Sequence, residues 1–158
     1  LSSGEVDLVI AVDLGSAGGL RSELLLEEDY LSLVRRAHPL ARRKRLRISD
    51  YEAHGHVAYT PVGFVPRPMS TAAPGVASAA GIRVSVPYLL ALPDVVRRTD
   101  LVATVPRSLL SAPIDFGGIV TIAAPPELPA VEHRQWWHPR FDQDPGHQWL
   151  REHVRQSL

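Results

Sequence analysis

The chain has 158 residues, in which 17 lysines and arginines balance 17 aspartates and glutamates, and its pI is near 7.3. A neutral balance argues against nucleic acid or an anionic membrane as the main partner, and zero cysteines exclude disulfides and thiolate metal sites. No apolar run approaches the roughly 20 residues of a membrane span, and the opening Leu-Ser-Ser-Gly-Glu-Val-Asp lacks the basic start and apolar stretch of a secretory signal.

Taken in chain order, residues 6–12 are apolar except for Asp7 and short enough for a buried strand. The glycine-rich stretch 13–19 follows as a turn; its spacing fits neither dinucleotide-binding nor P-loop patterns. Residues 20–26 are a second strand candidate. Next comes the stretch the chain is organised around, residues 28–41. Tyr30, Leu31, Leu33 and Val34 favour a pleated, half-buried strand, and Pro39 stops it because proline cannot donate to a ladder. The strand leaves one short α/β segment for a longer one, which suggests a crossover between two lobes. The basic run Arg42-Arg-Lys-Arg-Leu-Arg47, with Arg35 and Arg36, reads as a solvated loop rather than a nucleic-acid patch in a chain of zero net charge. Ser49 and Glu52 have capping-box spacing, with Ser49 as N-cap.

Residues 56–60 predict a strand, and Pro61-Val-Gly63 a turn after it. Residues 72–80, rich in alanine, predict a helix begun or interrupted at Pro74. Strands are expected at 82–86, 101–105 and 119–123. Leu89, Leu92 and Val96 form a helical stripe in which Pro93 either kinks the helix or starts a new turn. Residues 106–110 suggest a short helix begun by proline. This alternation of strand and helix argues for a parallel α/β sheet. A proline-rich connector, 125–129, leads to a returning strand at 131–137, where Trp136 and Trp137 point to opposite faces. The last element is a helix with Asp144 as N-cap, Pro145 at N1, and Leu150 and Val154 on one side.

No catalytic constellation emerges: there is no nucleophile elbow and no histidine pair at zinc spacing on a helix. His54 and His56 share a face of an extended chain but have no third ligand near them in sequence. Loops at strand C-termini are where α/β folds bind ligands, beside helix N-termini. Three places qualify: residues 11–13, residues 60–63, and Pro87-Tyr88. Tyr88 either faces a ligand or packs in the core; Thr60 either contacts one or caps a turn.

Several pieces, in order, resemble the effector-binding domain of LysR-type transcriptional regulators. They are Gly4-Glu-Val-Asp-Leu-Val-Ile10, the acidic residue, strand and Arg-Arg before His38-Pro39-Leu40-Ala41, and Val86-Pro-Tyr-Leu-Leu-Ala-Leu92 running into Asp100-Leu-Val-Ala-Thr-Val-Pro106. Trp137-His-Pro-Arg140 and Asp144-Pro-Gly-His-Gln-Trp-Leu-Arg151 close the series. The resemblance implies a type II periplasmic-binding-protein-like α/β fold of two lobes joined by two crossover strands. Lobe one would comprise residues 1–34 and 129–158, and lobe two residues 35–128. It implies a small effector in the inter-lobe cleft; the strand-end reading places that effector against Asp13, Thr60, Pro61, Val62 and Tyr88, and no cofactor, metal or catalysis is expected. It further implies a cytoplasmic homodimer or tetramer, without membrane contact, that meets promoter DNA through a winged helix-turn-helix. That module, its linker helix and the first elements of lobe one would precede position 1, leaving lobe one incomplete. A transport receptor of the same fold is the alternative and would need an export signal.

Overall fold

The computed structural model describes residues 1, 3–12, 18–60 and 81–158, and these separate into two compact units. The smaller comprises Leu1–Glu28 and Ala130–Leu158, the larger Asp29–Pro129. The expected helix at 72–80 and the turn at 61–63 lie outside the described residues, as does most of the glycine-rich stretch.

In the smaller unit, β1 (Leu8–Val12), β2 (Arg21–Glu28) and β8 (Val131–Trp137) form one sheet in the order β1-β8-β2. Both pairings are antiparallel, with Leu8 and Arg21 each opposite Trp137. The terminal helix α3 (Pro145–Gln156) starts as its sequence dictates: Asp144 accepts the His147 N–H at 2.7 Å and Pro145 opens the first turn. Alternation along β8 sends its two tryptophans to opposite faces. Trp136 is buried, and Trp137 donates its Nε1–H to Asp142 at 2.8 Å beneath the Arg151 guanidinium, 4.4 Å from the ring centroid. Gln135, also fully buried, donates its amide N–H to the Glu23 carboxylate at 2.7 Å, while its amide oxygen is buried without a partner among the described residues.

The larger unit is built on a five-stranded sheet in the order β5-β4-β6-β3-β7. Its strands are β3 (Tyr30–Arg35), β4 (His56–Tyr59), β5 (Ile82–Val86), β6 (Val102–Pro106) and β7 (Ile119–Ala123). β4 runs parallel to β5 and β6, whereas β3 runs antiparallel to β6 and β7. The sheet is therefore mixed rather than parallel. Apolar patterning marks a strand but not its direction, and β3 and β7 carry the chain into and out of this unit.

Two-residue periodicity sorts the core onto both faces of the sheet. Val34 and Val102 pack with Leu40, Leu46, Tyr51 and Ile122 on one side. Leu33, Ala103 and Val105 pack with Val57, Leu92, Val96 and Leu109 on the other. The first face is covered by α1 (Ile48–Glu52), the second by α2 (Leu92–Arg98). Pro93 sits in the first turn of α2, so it starts the helix and leaves no kink. The cap of α1 departs from expectation. Arg47 occupies the N-cap position and donates its N–H to the Asp50 carboxylate at 3.4 Å, so Ser49 lies inside the helix. The short helix expected at 106–110 is a 3-10 helix over Arg107–Ser111, with Pro106 at its N-cap.

Candidate functional site

β4 and β5 place their C-terminal ends side by side, because their parallel register sets Tyr59 opposite Val86. The Thr60 N–H extends that ladder, donating to the Val86 carbonyl at 2.8 Å. Tyr88 follows two residues later, its carbonyl accepting the Ala91 N–H at 3.0 Å as the Leu89–Ala91 turn begins. Thr60 and Tyr88 are thus brought to one end of the sheet by backbone hydrogen bonding alone. Tyr88 is 71% exposed, which decides against the core reading of its ring. Thr60 is half-buried, and Tyr59 beside it is exposed. Asp13, Pro61 and Val62 lie outside the described residues.

A feature that the sequence reading missed stands at the end of the third parallel strand. Arg107 directly follows β6, donates its N–H to the Asp29 carbonyl at 3.0 Å, and holds its guanidinium 3.7 Å from the Asp29 carboxylate. The pair is exposed, so it adds little to stability and can exchange its carboxylate for another anion. The signal was available: the strand-end rule that singled out Thr60 and Tyr88 applies equally to the residue after Pro106. A hydroxyl, a phenol and a guanidinium at strand ends offer hydrogen bonds and one positive charge to a small polar ligand; they contain no nucleophile–base pair. The expected helix N-terminus contributes little here. α2 has only seven residues and follows a 3-10 turn, which limits its aligned peptide dipoles.

The histidines of the larger unit gather at the opposite end of the strands. His38 lies buried after β3, its Nδ1 accepting the Leu40 N–H at 3.1 Å and its Nε2 facing the Asp100 carbonyl at 3.2 Å. His54 Nδ1 faces the Asp50 carbonyl at 2.7 Å, and His56 Nε2 the Tyr51 carbonyl at 2.8 Å. Burial lowers the pKa of His38 and of His56. Burial also raises that of Tyr51, whose hydroxyl meets Thr104 at 2.8 Å. Backbone carbonyls thus engage one ring nitrogen of each of His38, His54 and His56, while His56 Nδ1 is buried without a partner among the described residues. Among the described residues no group of three histidine, aspartate or glutamate side chains is arranged to hold a metal ion. No helix among them is long and apolar enough to cross a membrane.

Comparison with known proteins adds the relatives of this architecture. The family described as LysR substrate binding domain matches residues 1–158. The transcriptional activator NahR of Pseudomonas putida is 30% identical over 152 residues, covering 96% of this chain and 50% of its own length. The activator NagR of a Ralstonia species is 31% identical over 160 residues, with the same coverage. The chain therefore spans about half the length of these curated relatives. The regulatory domain of MexT, a transcriptional activator in Pseudomonas aeruginosa, superposes with a TM-score of 0.75 at 22% identity. That match covers 100% of this chain and 76% of MexT's, and shows a shared fold.

Proposed function

Since the chain belongs to the LysR substrate-binding domain family, we propose that it is the effector-sensing part of a transcriptional regulator. The observation that carries this reading is the family match along the whole chain, joined to relatives that are transcriptional activators. Those relatives do not favour the transport alternative. The reading assigns promoter binding to a helix-turn-helix region of a longer cytoplasmic protein, in keeping with the helix-turn-helix type given for NahR and NagR. It assigns self-association, as dimer or tetramer, to the regulatory domain, and binding without turnover to the site.

The effector is a small molecule held at the strand ends by Thr60 and Tyr88, with Arg107 beside them. Asp13, Pro61 and Val62 are further candidates by their positions just after predicted strands. A hydroxyl contact of this kind contributes about 0.5–1.5 kcal/mol net. Titration calorimetry against aromatic acids, amino acids and sugar derivatives tests the assignment. For the molecule that binds, Thr60→Ala weakens affinity by about two- to twelvefold, which is that free energy converted at RT of about 0.59 kcal/mol. Affinity unmoved by both Thr60→Ala and Tyr88→Ala places the site elsewhere.

A further inference from the structure

The zero net charge of the chain conceals a sharp asymmetry. Seven of the 17 basic residues fall between Arg35 and Arg47, and no acidic residue lies among them, so the rest of the chain is net negative. Their arrangement is fixed by the backbone. The Leu46 N–H donates to the Ala123 carbonyl at 2.9 Å, and the Ala123 N–H to the Lys44 carbonyl at 3.2 Å. Arg45 forms an isolated parallel bridge to the same residue, so this segment lies along the free edge of β7. Leu46 anchors it in the core at 1% exposure. Arg43 and Arg47 are both extended, with φ −75° ψ 142° and φ −88° ψ 157°.

The chain bends at Lys44, and Arg43, Arg45 and Arg47 flank that bend and the buried Leu46. All three are exposed, with Arg36, Arg42 and Lys44 exposed nearby. Among the described residues the only ion pair in this set joins Arg43 to Asp50 at 3.6 Å, at an open surface where such pairs are weak. Arg35 is separately engaged by Asp100 at 2.7 Å.

We infer that this pinned cluster of arginines is a surface for the phosphate backbone of duplex DNA, gripping it without regard to sequence. Two features favour DNA over an acidic polypeptide. Seven basic residues with no carboxylate among them suit a polyanion of uniform charge better than the scattered carboxylates of a folded surface. The cluster also carries no large apolar anchor of the kind that protein interfaces use at their centres. The inference rests on the regulator reading for the presence of DNA, but its test needs no effector.

The test is fluorescence anisotropy of the whole 158-residue chain with a duplex of arbitrary sequence across a salt series. Each phosphate neutralised contributes about −0.9 to the slope of log K against log salt, so three contacts give a slope of about −3. Arg43→Gln, Arg45→Gln and Arg47→Gln singly reduce that slope by about one each. Arg45→Lys keeps it, and Arg98→Gln, at an exposed arginine on α2, leaves it unchanged. The inference is overturned if the parent chain shows no salt-dependent duplex binding, or if the three variants keep the parent slope. Tighter binding of poly-glutamate than of the duplex overturns it in favour of an acidic protein partner. A failure here leaves the effector titration untouched, and a failed titration leaves this slope untouched, so the two ideas fall separately.

Discussion

At the scale of single residues, His38 shows how burial and hydrogen bonding select one protonation state. Its Nδ1 accepts from Leu40 N–H, so the ring is neutral with its proton on Nε2, pointed at the Asp100 carbonyl. Burial lowers its pKa first; the Asp100 carbonyl and carboxylate oppose that shift, while His54 and Arg35 add to it. In the unfolded chain the same ring titrates near 6.5, so between that value and its lower folded value the unfolded state holds more protons. Stability conferred by neutral His38 is therefore fully present above about pH 6.5 and is lost as pH falls toward the folded pKa. His38→Asn keeps an acceptor for the Leu40 N–H while removing the titration. Chemical denaturation at pH 7.5 and pH 5.5 should show a smaller loss of stability in the variant than in the parent. An equal loss would assign the acid sensitivity to other groups, His56 first among them. Nothing in the local sequence marks His38 as a cap, because side-chain caps are ordinarily serine, threonine, aspartate or asparagine.

Among elements, the strands of the larger unit have well-defined energetic roles. Leu92 is fully buried where α2 meets the sheet, so Leu92→Ala removes core volume that neighbours cannot refill and should cost about 2–5 kcal/mol. Urea titration by circular dichroism reads that loss; a cost below about 1 kcal/mol would mean that the site collapses around the cavity. In the smaller unit β1 is paired on one side by β8. Hydrogen exchange of this chain should therefore find the β1 amides much faster than those of residues 102–105, which lie between β4 and β3. Comparable protection in a dilute monomer would show that the β1 edge is covered. Sequence patterning was enough to locate β7 and β8, whose apolar and aromatic runs match the observed bounds, and the cap and start of α3. It did not reveal strand direction, and it placed the cap of α1 on Ser49 because capping-box spacing is satisfied there as well. The backbone instead turned at Arg47, where the extended segment pinned beside β7 ends.

Across the whole molecule, family and fold class were legible because several short apolar and turn motifs recur in a fixed order along the chain. The candidate site was legible only as a rule about strand ends. That rule brought Thr60 and Tyr88 together in the structure but passed over Arg107, whose neighbour Asp29 is 78 positions distant in sequence. Such a pairing is created by the register of β3 with β6, which sets Tyr30 opposite Pro106. The central claim is that a small effector binds at this end of the larger unit. Hydrogen exchange of the chain with and without a saturating molecule from the titration panel tests it most directly. The account predicts slowed exchange at the amides of Tyr59, Thr60, Tyr88 and Arg107, with the β7 amides at the far edge unchanged. Protection confined to other segments, or no panel member that alters exchange anywhere, would contradict it.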